Sequence, residues 1–384
     1  MPLRVLLAGA GIAGPAAAIA LAKAGIEAEI LEAYPEDADG TGAFLTLTAN
    51  GQDALRAIDA EDAMVAASFP ASRLKLFSPA GDLLADAPLG RDHPCPRTIT
   101  RAALSAVLRA QAQAAGVTVR YGKRLASAAV GPDGRVTVTC ADGSSAAADL
   151  LIGADGIRSP VRTLIDPDAP APRYTGLTIA CGYTPAPPPE AARTEGFAMY
   201  YGSRAFFGCT AAPDGRTWWF ARVPGLPPAD AGTYGADQIA AGYDGDGTPA
   251  AELIRSTPEP LTVTSAFDLA QLPTWRNEAM LVIGDAAHAT SPATTQGASM
   301  AIEDAVVLAQ CLRDIPRRAD ALATYERLRR PRVEGIVASG ASGENPVPSP
   351  PGPRRGAQGV SVYDHHIDWA ATIAPADVSP ADPR

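Results

Sequence analysis

Leu3-Arg4-Val5-Leu6-Leu7-Ala8-Gly9-Ala10-Gly11-Ile12-Ala13-Gly14 opens the chain and decides its architecture. An apolar run of strand length meets a Gly-x-Gly-x-x-Gly turn, and the alanine-rich stretch Pro15 to Ala24 then has the make-up of a helix packed closely on that strand. Gly25 supplies the helix exit, and Glu27 to Leu31 predicts a second strand ending at Glu32. Each glycine has a separate task. Gly9 turns tightly, Gly11 lets a phosphate approach the backbone beside Ile12 and Ala13, and Gly14 permits close helix–strand packing. Glu32 lies about 20 residues on, where a carboxylate accepts hydrogen bonds from a ribose.

Two further strand ends carry the same punctuation. Asp149 to Ile152 runs into Gly153-Ala154-Asp155-Gly156-Ile157-Arg158, and Leu281-Val282-Ile283 runs into Gly284-Asp285-Ala286-Ala287-His288. Pro292 then leads through Gln296-Gly297-Ala298 into a helix that continues past Glu303-Asp304. Strand ends of this kind present backbone N–H groups to an anion. Asp155 and Asp285 also read as ordinary helix caps, but beside a dinucleotide turn they suit the hydroxyl-bearing ribityl chain of a flavin. FAD is therefore favoured over NAD as the firmly held cofactor.

Composition narrows the alternatives. The 384 residues are 47% hydrophobic, enough for one large or two moderate domains, and carry a net charge of −10. That balance excludes a basic nucleic-acid footprint. Cys95, Cys140, Cys181, Cys209 and Cys311 show no Cys-x-x-Cys pair, and four histidines without ligand spacing give no support to a metal site. The apolar run Ala16 to Ala22 falls far short of the roughly 20 residues that span a bilayer. The expectation is a soluble cytoplasmic protein without stable membrane insertion, a monomer or homodimer.

Between the glycine turns the texture changes. Ala43 to Thr48 alternates and runs along the ligand, Asn50 is placed to cap the helix through Leu55 and Ile58, and Thr100 to cap one beginning at Arg101. Residues 73–90 predict a hairpin. Leu177 to Tyr183, Gly196 to Tyr201, Arg204 to Cys209 and Thr217 to Val223 are short aromatic-rich β runs separated by Gly/Pro turns. Late in the chain, Pro331-Arg332 is expected to interrupt or kink a helix, and the Pro346 to Pro353 segment to begin a flexible tail or surface arm.

In order and spacing these motifs resemble those of the class A flavoprotein aromatic hydroxylases, the para-hydroxybenzoate hydroxylase-like FAD-dependent monooxygenases. The resemblance rests on Gly9 to Gly14 with Glu32, on Gly153 to Arg158, and on Gly284 to His288 with Pro292 and Gln296 to Ala305. It implies an α/β fold: a Rossmann-type FAD-binding domain, an interrupting, mostly antiparallel β-sheet substrate domain, and C-terminal helices. The corresponding boundaries are 1–72, 91–173 and 271–340 for the first, 73–90 and 174–270 for the second, and a tail at 341–384. By the same resemblance Arg101 contacts FAD phosphates, Asp155 and Gly156 serve FAD and transient NAD(P)H, and Gly284-Asp285 holds the ribityl chain. Pro292 and the backbone of Gly297 and Ala298 border the reactive ring. Thr295 and Ser299 depart from the family, which commonly has glycine and asparagine there.

The implied reaction is insertion of one atom of O2 into a hydrophobic aromatic or polyunsaturated small molecule, as hydroxylation or epoxidation through a flavin C4a-hydroperoxide. An arginine-rich, lysine-poor composition adds a secondary-metabolite setting. Two alternatives stay open: a flavin dehydrogenase or reductase of the same fold, and a non-catalytic ligand-binding relative. His288 reads as a packing element of its turn, and His93 as facing either substrate or the surface. For the substrate face, Tyr201, Phe207 and Trp219 are the candidates; strand alternation sets Trp219 opposite Trp218 and Phe220, so only one set lines a cavity.

Overall fold

In the computed structural model, which describes residues 3–36, 43–90, 93–193, 196–228, 233–258, 260–342 and 362–375, the first strand forms over Arg4–Ala8. It pairs in parallel with Glu27–Leu31 on one side and Leu150–Gly153 on the other. Thr118–Arg120 and Met280–Val282 extend the two flanks, also in parallel. The sheet is apolar on both faces, with Leu7, Ile30, Leu150, Leu151, Ile152 and Leu281 fully buried. That burial explains why its strands read as continuous apolar runs rather than alternating ones. Parallel pairing also has a functional consequence. The turns after Ala8, Gly153 and Val282 leave the same edge of the sheet, on three adjacent strands.

The longer helices that frame this sheet and its edge are α1 (Ala13–Lys23), α2 (Ala49–Ala57), α3 (Arg101–Ala114), α4 (Gly297–Asp314) and α5 (Arg318–Ser342). Thr100 caps α3 as expected, accepting the Ala103 N–H at 3.1 Å. Asn50 does not cap α2. Thr48 occupies the cap position, and Asn50 lies buried in the first turn with its amide engaged by partners on and just before α4, which no backbone group of its own helix can replace. Pro331 does not end its helix either. Arg329 and Arg332, on either side of it, both reach Glu303 on α4, and this shared anchor holds the two halves of α5 against one neighbour.

The second sheet has seven strands, in the order Thr262–Asp268, Arg173–Thr184, Thr217–Pro224, Phe206–Ala211, Gly196–Tyr201, Arg73–Phe77 and Leu83–Pro88. All neighbours are antiparallel except Gly196–Tyr201 with Arg73–Phe77, so the 73–90 hairpin joins the sheet at its edge. One face packs on the short helices Ala236–Ala240 and Ala250–Arg255 in a core of its own, with Phe207, Trp219, Ile239 and Ile254 at 0% exposure. The other face looks toward Phe44, on the strand Phe44–Leu47. Residues 362–375 return to the first unit: Ile367 is buried, its N–H donates to Asp53 on α2, and the Trp369 ring lies by Lys23 and Arg313. The Pro346–Pro353 run lies outside the described residues.

Candidate active site

Three glycines at the sheet edge differ in what surrounds them. Gly9 has φ +102°, and a Cβ there would sit 2.6 Å from the Ala154 carbonyl oxygen; one on Gly14 would sit 1.9 Å from the Gly9 oxygen. Both are required by the protein's own packing. At Gly11 no heavy atom lies within 4 Å of the corresponding position, so its backbone faces open space. Beside this turn the Glu32 carboxylate accepts the Ala10 N–H at 2.6 Å and the Tyr34 N–H at 2.9 Å. No side chain caps α1, where Ile12 is the cap residue and Ala13 the first helical one, which leaves its leading amides to an anion.

The second and third turns press against the first. Asp155 accepts the Val161 N–H at 3.1 Å through Oδ2, while Oδ1 is buried without a hydrogen-bond partner. Burial pushes this carboxyl above its ordinary value, outweighing the hydrogen bonds it receives. Gly156 follows with φ +76°. Gly284 is wedged in place: a Cβ there would lie 3.1 Å from the Ala13 Cβ and 3.3 Å from that of Ala301. Asp285 comes next, with Oδ1 3.9 Å from the Cβ position of Gly297, so the third turn and the start of α4 share one locale. Arg101 stands exposed at the first position of α3, its N–H donating to Ala43.

Between Asp285 and α4 the chain makes a single 3-10 turn over Pro292–Thr294, then a left-handed residue. That residue is Thr295, at φ 57°, and a β-branched side chain there is strained by about 1–3 kcal/mol. The family's glycine at this place carries no such strain. Pro292 is exposed, while Gly297 and Ala298 are half-buried at the helix start. Gln296 holds the cap position without capping α4, because its side chain binds Thr48 and Asn50 instead. Ser299 lies 3.0 Å from the Thr48 hydroxyl, whose hydrogen goes to Asn50, so Ser299 is the donor.

Beneath the helix start lies a buried ionic cluster. Asp304 accepts the Gly284 N–H at 2.9 Å, pairs with His288 at 2.5 Å and binds Arg329 at 2.7 Å. His288 is thus the packing and hydrogen-bonding element that its turn suggested. Glu303 meets Arg329 and Arg332, each at 2.8 Å. Burial alone would raise both carboxyls; Arg329 and Arg332 around Glu303, and His288 and Arg329 around Asp304, overcome it and hold both below the usual range.

The aromatic face requires a correction. Phe207 and Trp219 are fully buried in the core of the seven-stranded sheet, their rings stacked at 5.8 Å, on the side away from Phe44. Tyr201 pairs with Phe206 across the strands and lies on the opposite face, half-buried. There Phe44 meets Trp218, Phe220, Tyr183 and Phe197 with centroids 5.6–6.4 Å apart, and Phe69 meets Trp218 at 5.3 Å. The alternation of Trp218, Trp219 and Phe220 carried this signal. Which side was the core depended on the helices at 236–255, far along the chain.

These residues fit FAD: an open approach at Gly11, an unpartnered buried oxygen on Asp155, and uncapped starts of α1 and α4 beside three adjoining turns. Among the described residues no cluster suits a metal ion, and no helix is long and apolar enough to cross a membrane. The model of the FAD binding domain family matches residues 3–339. Aurachin C monooxygenase/isomerase of Stigmatella aurantiaca is 32% identical over 88% of this chain and 87% of its own length. The 3-amino-4-hydroxybenzoate 2-monooxygenase of Streptomyces cremeus is 30% identical over 87% and 85%. Among solved structures, Klebsiella pneumoniae HpxO with FAD and uric acid superposes with a TM-score of 0.79 at 28% identity, over 88% of this chain and 87% of that one.

Proposed function

The chain belongs to the FAD-binding-domain family and is an FAD-dependent monooxygenase, and from that premise we propose that it uses NAD(P)H to insert one oxygen atom into a hydrophobic aromatic or polyunsaturated small molecule. The product is a hydroxylated or epoxidised compound, and the setting is secondary metabolism. One observation carries the reading: three glycine-bounded turns from adjacent parallel strands meet at one edge, and the aromatic face of the second sheet borders the same unit through Phe44.

When bound, FAD supplies the electron transfer from NAD(P)H and the activation of dioxygen. The chain's own residues do the rest. Glu32 would accept from the adenosine ribose, the first amides of α1 and the Arg101 guanidinium would bind the phosphates, and Asp155 and Asp285 would hold the ribityl hydroxyls. The amides of Gly297 and Ala298, at the positive end of α4, would favour negative charge on the flavin ring, and Pro292 would border it. Trp218, Phe220, Tyr183 and Tyr201 hold the substrate and keep water away.

Support for an aromatic substrate comes from those rings and from the aminohydroxybenzoate in the name of the Streptomyces relative. The test is isotopic. FAD-loaded protein, NAD(P)H and 18O2 are incubated with a panel of phenolic, quinolone and polyene compounds, and products are weighed by mass spectrometry. One labelled oxygen in a product, lost or reduced about tenfold in Trp218→Ala, is the expected result. NAD(P)H consumption that yields hydrogen peroxide with every compound, or dehydrogenation without label, overturns the assignment.

A further inference from the structure

Asn50 joins the start of α4 to the ionic cluster beneath it through a single amide. Its Nδ2 donates to Gln296 Oε1 at 2.9 Å and to Glu303 Oε1 at 2.7 Å. Its Oδ1 accepts the Thr48 hydroxyl at 2.8 Å, and that hydroxyl in turn accepts from Gln296 Nε2 at 3.0 Å. Thr48, Asn50 and Gln296 therefore close a ring of hydrogen bonds, all three at 6% exposure or less. Glu303 is fixed from the other side by Arg329 and Arg332, so the ring is tied to a rigid post.

We propose that Asn50 is a positioning residue for the flavin ring: by holding Gln296 against Glu303, it fixes the Pro292–Gly297 loop and keeps the leading amides of α4 open to the ring. The inference rests on the function proposed above. Gln296 directly follows Thr295, whose left-handed backbone is strained and requires restraint from its neighbours. A Gln296 side chain released from Asn50 and Thr48 would be free to fold over the helix start, where a polar side chain competes for the same amides. Asn50 touches none of the reacting atoms in this account. It acts through Gln296.

The experiment compares the wild type with Asn50→Ala, Thr48→Val and a stability control, Ile239→Ala, which lies in the core of the second sheet. FAD affinity is read by flavin fluorescence, the flavin midpoint potential by equilibrium reduction against a dye, and unfolding by thermal melting. Asn50→Ala is expected to weaken FAD binding about tenfold, the loss set by a released buried hydrogen bond. The potential should fall, because fewer amides then favour the negatively charged reduced ring. Thr48→Val should move both readings the same way by less, and it carries the test if Asn50→Ala does not fold. Ile239→Ala should lower the melting temperature alone. FAD affinity and potential unchanged in Thr48→Val, or shifted equally by Ile239→Ala, would overturn the proposal. A wild-type chain that binds no FAD would overturn the functional reading as well, which separates the two failures.

Discussion

An alanine at Gly14 has nowhere to put its methyl group: the position lies 1.9 Å from the Gly9 oxygen, so α1 must move off its strand. Gly14→Ala should cost about 3 kcal/mol of stability in the FAD-free protein. Gly11→Ala meets no heavy atom of the protein within 4 Å. Its FAD-free stability should stay within about 0.5 kcal/mol of wild type, while FAD affinity falls at least about tenfold because the methyl occupies the ligand's approach. Urea unfolding and fluorescence titration of the pair check this contrast, and equal effects in both assays would remove Gly11 from the binding site. The role read for Gly11 is what the titration tests. The close packing at Gly14 could be read from the sequence, since a Gly-x-Gly-x-x-Gly turn is local chemistry between neighbours. Asn50 could not. Its partners lie 246 and 253 residues away, and only tertiary contact reveals that its amide is engaged elsewhere than at a helix cap.

The α4–α5 pair is held by charge in the interior. Glu303, Asp304 and Arg329 are at most 1% exposed, so each carboxylate depends on its guanidinium partners to offset the cost of burial. Both carboxyls sit below their ordinary pKa in the folded protein. A depressed folded pKa contributes stability that is complete above the unfolded value and is lost as pH falls through the folded one. Urea midpoints should therefore respond little to these groups between pH 7 and 5 and drop below about pH 4, where free carboxyls begin to protonate. Glu303→Gln should lose about 3 kcal/mol at pH 7 and flatten the acid limb, because Arg332 loses its carboxylate partner and Arg329 keeps only Asp304. An acid limb unchanged in that variant would assign acid unfolding to other groups. Sequence alone marked Glu303-Asp304 as part of a helix, and Pro331-Arg332 as an interruption or kink. The helix runs on through Pro331, and the arginines on either side of it are anchored to one carboxylate.

Over the whole molecule, the strands were legible wherever composition and local pattern sufficed: Glu27–Leu31 and Gly196–Tyr201 form over the residues expected. What escaped was the choice of buried face in the second sheet, decided by helices that arrive later in the chain. The C-terminal arm was another partial reading. Its described part packs on α1, α2 and α4: Val362 and Ile367 are buried, Gln310 and Arg313 donate to the carbonyls of Asp368 and Trp369, and Asp364 pairs with His93. A chain ending at Ser342 should lose about 3 kcal/mol, the contribution of burying two aliphatic side chains and part of a third. Thermal melting checks it, and an unchanged midpoint would make the arm dispensable.

The parallel sheet carries a consequence for how the protein is made. Its central strand, Arg4–Ala8, lies far ahead in the chain of one neighbour, Leu150–Gly153, and of the next strand outward, Met280–Val282. Until residue 282 has been made, Leu150–Gly153 is paired on one side only, an apolar strand with an open edge, the condition under which aggregation competes and chaperones are recruited. On the site proposed above, the third turn is missing before that moment, so flavin binding is expected only afterwards, and free cofactor is expected not to rescue a chain truncated before Gly284.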